Sequence, residues 1–451
     1  MYREKVLAKI KPIAKEEERV KKFVNELVRV AKTISGSDCV VVGSIGKQTW
    51  LRGDHDIDLF IEFPKNTTRE QLEERGLEIG KKIAKEMHGK AGVKYAEHPY
   101  THAKIKGFSV DIVPCYKISV GEKIISAVDR SPLHLAYLLE KMDEKLYDDV
   151  RLLKQFCKGI GAYGSDARRL GFSGYICELL IMKYGSFEAV LSSASEWTAP
   201  TAIDLENEEA KINTREKFYN QPLVIIDPVD SERNAAANIS VENFEKFTLK
   251  SKEFLNKPAE KFFFPNPQKP LDTKQAKILS QRGTHFLAII MKKTDIIDDV
   301  LYPQLRRMLN RMEGIMKHEE FVALRTYEYA NKEIILFFEM EIWNLPEIKR
   351  MVGPPVFSKQ HSQEFLEKYK KTAKIYVEDI FWVAEKKRDF LSASQLIKSS
   401  MKKTEQDLSE AGIPKNLIKE FQKAKIIEGK DFFSLLKKNK GFSAFVRERY
   451  F

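Results

Sequence analysis

The chain has 451 residues, with 77 Lys and Arg against 65 Asp and Glu, a formal net charge of +12. Roughly 150 residues per domain suggests about three domains, and the 43% hydrophobic and 11% aromatic content excludes disorder, collagen or coiled coil as readings of the whole chain. No apolar run approaches the ~20 residues of a membrane span, and the charged N-terminus MYREKVLAKIKPIAKEEERVKK lacks the apolar stretch of a signal peptide, so a cytoplasmic protein with no membrane partner is expected. Cys39, Cys115, Cys157 and Cys177 form no CxxC pair. That argues for buried free thiols over disulfides or zinc. The positive surplus favours a polyanionic partner. Half of it lies in residues 391–451, where 13 Lys and Arg meet 7 Asp and Glu.

Taken in chain order, Val20, Phe23, Val24, Leu27, Ala31 and Ile34 fall at helical spacing and predict a helix over 16–34. CVVVG (39–43) reads as a short strand ending at glycine. DIDLFIEF (56–63) reads as a strand with one polar face. Thr68 to Met87 reads as a helix capped by Thr68, with Glu70 and Gln71 behind it. VKYAEHPYTHAKIKG (93–107) and FSVDIVPC (108–115) read as a hairpin turning at Lys106-Gly107. A helical pattern follows from about 133 to 258, with helices over 133–158 and 172–184. The Pro-rich FFFPNPQKP (262–270) is the linker candidate. Beyond it, a strand (284–293), a helix (303–319) starting near Pro303, and two strands (322–343) joined at Ala330-Asn331 suggest a ferredoxin-like βαββ arrangement. The last 60 residues read as short amphipathic lysine-rich helices.

The chemistry concentrates in GSIGKQTWLRGDHDIDLFIEF (43–63). Strand residues i and i+2 point the same way, so Asp56 and Asp58 share a face. Two carboxylates that close disfavour each other's ionised form, and a hard cation such as Mg²⁺ resolves the conflict. Asp111 is a third carboxylate, flanked by Val110 and Ile112. A charge inside an apolar strand needs a partner, and a shared metal supplies one. Asp54 precedes the strand and reads as a turn residue. His98 and His102 are four apart, but no matching Cys or Glu set completes a zinc site.

The GS…DxD…D pattern resembles the nucleotidyltransferase superfamily that includes DNA polymerase β and poly(A) polymerases. Further blocks are similar to the archaeal (class I) CCA-adding enzymes: YAEHPYTHAKIKGFSVDIVPCY, SAVDRSPLH, VRLLKQF, GAYGSDARRLGFSGYICELLI, DPVDSERNAAANIS and DIIDDVLYPQL. They span roughly residues 36–310 in the family's order. The resemblance implies an α+β protein in four parts: a polymerase β-like nucleotidyltransferase head, a mixed sheet with flanking helices (1–132); a helical, nucleotide-binding neck (133–260); a ferredoxin-like body (271–390); and a helical, basic, RNA-binding tail (391–451). It implies a transferase that adds C, C and A to the tRNA 3′ end from CTP and ATP, without a template, and releases pyrophosphate. A homodimer is a further expectation.

It also implies roles. Asp56, Asp58 and Asp111 would be catalytic and hold Mg²⁺. Gly43 would let the backbone approach the triphosphate, Ser44 would donate its hydroxyl to a phosphate, and Lys47 would add charge where the family more often has arginine, losing a bidentate contact. His134, Lys154 and Tyr163 would contact the nucleotide. Arg233 would read the base: cytosine and adenine share an amino donor beside a ring-nitrogen acceptor, whereas uracil and guanine present a carbonyl beside a ring N–H. A related poly(A) polymerase and a noncatalytic RNA-binding protein on the same fold are the competing readings. Arg233 and the archaeal-type blocks argue against the first, the three aspartates against the second.

Overall fold

A computed structural model describes residues 2–95, 97–207 and 217–451. The chain divides into two compact units, Met1–Asn266 and Pro267–Phe451. The division falls inside the expected linker, but that linker is shorter than expected. Phe262 and Phe263 are buried in the first unit's core, because consecutive phenylalanines gain more from burial than a connection needs from flexibility.

In the first unit, the helix Ala14–Ser35 buries Val20, Phe23, Leu27 and Ala31. It stops at Gly36, whose left-handed φ of 65° ends the helix. The helix Arg69–Glu86 begins at Thr68 with a full capping box to Gln71. Both cover a five-stranded sheet built from β1 (Cys39–Val42), β2 (Asp56–Phe63), β3 (Lys90–Tyr95), β4 (Pro99–Ile105) and β5 (Phe108–Tyr116), in the order β1-β2-β5-β4-β3. The β2–β5 pair is parallel and the other pairs are antiparallel. The β4–β5 hairpin turns at Lys106-Gly107, both at positive φ. β3 lies outside the sequence expectation: it is an edge strand exposed along its length, so it carries no hydrophobic alternation to read.

The segment read as one helix over 133–158 is two, Arg130–Lys141 and Tyr147–Gly159. Asp143 caps the turn between them by accepting from the Lys145 N–H. The helix Gly174–Tyr184 follows, with Ser173 as its cap. The neck also holds a three-stranded sheet, β6 (Thr201–Ile203), β7 (Leu223–Asp227) and β8 (Asp230–Asn234). Leu223, Val224 and Ile225 are all buried, and a short, fully apolar run does not reveal its type by periodicity.

The second unit carries β9 (His285–Lys292), β10 (Val322–Ala330) and β11 (Glu333–Ile342). The intervening helix runs Asp298–His318 and holds Pro303 inside it rather than at its start. Asp298 and Asp299 place negative charge on its first turn. A separate antiparallel sheet contains β12 (Ile348–Pro355), β13 (Ala373–Glu378) and β14 (Phe381–Lys387). The main sheet has the order β10-β11-β9-β15, all antiparallel, with β15 (Lys425–Glu428) as its fourth strand. β11 thus lies between β9 and β10, the two strands that flank the helix in sequence.

Residues 391–451, in contrast, do not stand apart as a tail. They supply β15, and Phe432, Phe442 and Val446 are buried with Phe286 and Phe337. The Phe432 ring stacks 5.1 Å from both Phe286 and Phe337. These aromatics, set among lysines in the sequence, belong to the core.

Candidate active site

β1 ends at Val42 and the chain turns at Gly43 with φ of 66°. A Cβ there would collide with the Asp58 carboxylate, so only glycine fits. The next residues make one short helical turn, Gly43–Gly46, with Ser44 half-buried in it.

The parallel register sets Asp58 of β2 directly beside Asp111 of β5. Asp56 lies two residues back on the same strand, exposed at its start. Burial, then the charge of Asp111, then that of Asp56 push the Asp58 carboxyl up to about 6. Carboxylates that hinder one another's ionisation are a donor set suited to a hard cation. Among the described residues, no group of three or more His, Cys, Asp or Glu side chains is gathered closely enough to cage a metal unaided. Asp111 instead turns Oδ1 to His102 Nδ1 at 2.5 Å, with Lys94 Nζ at 4.0 Å. His98 bonds the Pro114 carbonyl at 2.8 Å. The two histidines therefore serve separate partners.

Gly43, Lys47, Asp58, Asp111, His134 and Tyr175 line one cleft of about 350 Å³. Lys47 reaches Glu178 Oε2 at 2.9 Å and sits 4.9 Å from the centre of the Tyr175 ring. Glu178 is buried in the helix Gly174–Tyr184 and also takes Thr49 Oγ1 at 2.6 Å and Lys154 Nζ at 2.8 Å. Burial opposes its ionisation, but Lys154 and Lys47 outweigh burial and hold the carboxyl at about 2. Lys154 is thus neither an exposed helical lysine nor part of the cleft lining; it is 2% exposed and paired. Tyr163 lies outside the lining too, its ring 5.2 Å from Lys158 Nζ and its hydroxyl packed near Gly174.

His134 comes from the helix Arg130–Lys141, and its Nε2 lies 2.9 Å from Asp227 Oδ2. Burial lowers its pKa more than Asp227 raises it, and Nε2 faces the carboxylate as a donor. Its ring stacks on Tyr175 with centroids 3.9 Å apart. Arg233, on β8, donates Nη1 to the same Asp227 at 2.6 Å. The fold therefore brings Gly43, Lys47, Asp58, Asp111 and His134 to one cleft, leaves Ser44, Asp56, Tyr163 and Arg233 outside its lining, and buries Lys154 away from it. Glu178, Asp227 and Tyr175 escaped the sequence reading, and His102 entered it only as a zinc candidate, not as the partner of Asp111. Glu178 had the same signal that exposed Asp111, a carboxylate inside an apolar stretch (YICELLI); Tyr175 had none.

A cleft with paired strand carboxylates behind a glycine turn defines a nucleotidyltransferase. Residues 17–134 match the nucleotidyltransferase domain family, 148–264 the second domain of tRNA nucleotidyltransferases, and 282–428 the C-terminal domain of CCA-adding enzymes. The CCA-adding enzyme of Methanocaldococcus jannaschii is 37% identical over 91% of this chain and 92% of its own length. That of Methanococcus maripaludis strain C5 is 40% identical over 80% and 83%. A solved RNA terminal uridylyl transferase, Cid1, is 14% identical with a TM-score of 0.47, covering 59% of this chain and 97% of its own. The chain belongs to the CCA-adding enzymes, tRNA nucleotidyltransferases that act on tRNA with nucleoside triphosphates. Among the described residues, no helix is long and apolar enough to cross a membrane.

Proposed function

We propose that this chain adds C, C and A in turn to the tRNA 3′ end, with Asp56, Asp58 and Asp111 as its catalytic carboxylates. The observation that carries this is the parallel register of β2 and β5, which seats Asp58 beside Asp111 with Asp56 on the same face. These three carboxylates would hold Mg²⁺, which supplies charge neutralisation at the triphosphate and lowers the pKa of the attacking 3′-hydroxyl. Gly43 leaves room for phosphate against the strand end. Lys47, held by Glu178 and Tyr175 at the cleft wall, presents a positive charge to the triphosphate. His134 donates to Asp227. Arg233 approaches the base from β8 and matches the ring acceptor shared by cytosine and adenine. Ser44 serves the phosphates from the glycine turn. Tyr163 and Lys154 support the site from behind the cleft, Lys154 through Glu178. The limits 1–132 and 133–260, a body from residue 271 that takes in residues 391–451, and a homodimeric state belong to the same reading.

The test offers labelled CTP, ATP, UTP and GTP to tRNA lacking its CCA end. Asp56→Ala, Asp58→Ala and Asp111→Ala are each expected to lower nucleotide addition by about 1,000-fold or more, ~4 kcal/mol of barrier, with tRNA binding retained. A single variant with near-normal turnover at saturating Mg²⁺ defeats the carboxylate assignment.

A further inference from the structure

Asp227 closes β7 with no exposed surface, and its carboxylate collects four donors. Oδ1 accepts from Tyr175 Oη at 3.1 Å and from the Val229 N–H at 3.2 Å. Oδ2 accepts from Arg233 Nη1 at 2.6 Å, and His134 Nε2 lies 3.1 and 2.9 Å from the two oxygens. The hairpin carrying Arg233 is held as well. Asn234 accepts the Ile225 N–H at 2.8 Å and donates to the Leu223 carbonyl at 2.9 Å. Asp227 is thus immobile by burial and by three partners other than Arg233, whereas Arg233 is half-buried.

That asymmetry has a chemical consequence. An unpinned arginine samples many rotamers. It would swing to whichever acceptor a base offers, and uracil and guanine both offer a carbonyl. Refusing them requires a guanidinium that cannot follow that carbonyl. One ion pair to a fixed, buried carboxylate supplies this: the planar fork leaves its remaining N–H groups in set directions. The ordering cost is met by the fold before any nucleotide enters.

We propose that Asp227 is the positioning residue for base choice: it acts through Arg233, fixing the guanidinium so that a base with an amino group beside a ring acceptor is matched and one with a ring N–H is refused. This rests on the reading of Arg233 as the base-contacting residue. Removing the carboxylate charge frees the arginine without removing it, so the selectivity lost is that of aim.

The experiment measures kcat/KM for CTP and UTP, and for ATP and GTP at the last step, on tRNA lacking its CCA end, with the full-length chain. Asp227→Asn is expected to lower the CTP-to-UTP ratio by about tenfold or more. In an Arg233→Ala background the same substitution is expected to change the ratio less than about twofold, because the two residues act as one unit. Arg233→Lys tests the idea without touching the buried site. A lysine paired with Asp227 has no second arm for the base, so it should lose as much selectivity as Arg233→Ala. A folded Asp227→Asn with an unchanged ratio, an equal effect in the Arg233→Ala background, or a selective Arg233→Lys each overturns the proposal while leaving Arg233 as base reader. Arg233→Ala with an unchanged ratio overturns the base reading itself and this proposal with it.

Discussion

Gly43 and Asp58 form a pair in which each limits the other. The strand end needs a left-handed residue, and the carboxylate fills the volume a side chain would take. Gly43→Ala therefore faces two penalties: ~1–2 kcal/mol for the backbone conformation and displacement of Asp58. A shift of about 1 Å in a catalytic group costs about 100-fold in rate. Gly43→Ala is expected to remain folded by circular dichroism and to lose nucleotide addition by about that factor, seen in kcat more than in tRNA affinity. Normal turnover would mean that Asp58 does not need its present position. Asp58 and Asp111 were both legible, from the DxD spacing and from a charge inside an apolar strand; the parallel pairing of β2 and β5 decided that they sit side by side.

The helix Gly174–Tyr184 shows how one element serves both core and site. Ile176, Cys177, Leu179, Leu180 and Ile181 are buried, and Glu178 lies among them. Its carboxyl is held near 2 against an ordinary 4.5 because Lys154 and Lys47 outweigh burial. A folded-state pKa below the unfolded one contributes stability that is present above about 4.5 and lost as pH falls toward 2. Glu178→Gln is expected to melt lower than wild type at pH 7. It breaks a buried network and leaves two lysines uncompensated, at a cost of about 3–5 kcal/mol. Its melting temperature should also fall less steeply between pH 4.5 and 2.5, as measured by circular dichroism. Parallel acid profiles for the two proteins would place the charged pair elsewhere.

At the scale of the molecule, the basic C-terminal stretch carries buried aromatics and exposed lysines side by side. Phe432 is buried against Phe286 and Phe337, so Phe432→Ala is expected to destabilise the second unit by about 3–5 kcal/mol, read from the denaturant midpoint. Lys437, Lys438 and Lys440 are exposed on the same segment. Replacing these three with alanine should leave stability near wild type. It should also make the fall of tRNA affinity with salt shallower, since each phosphate contact released removes about one unit of that slope. An unchanged slope would show that these lysines face only water. Truncation after Asp389 cannot make this distinction, because it deletes a strand of the sheet together with the charges.

The sequence alone determined what is written in local periodicity. The helix Ala14–Ser35, the capped helix at Thr68, the strand that carries Asp56 and Asp58 and the turn at Lys106-Gly107 each rest on residues within a few positions of one another. Spacing and backbone sterics act at that range. The tertiary structure decided which distant groups meet. Lys47 and Glu178 are 131 residues apart, and His134 and Asp227 are 93 apart. No pattern within a segment names such a partner. The same holds for residues 425–428, a strand only because β9 has an open edge to pair with. A buried charge can be recognised from sequence as needing a partner; which partner it receives is set by how the sheets and helices close around it.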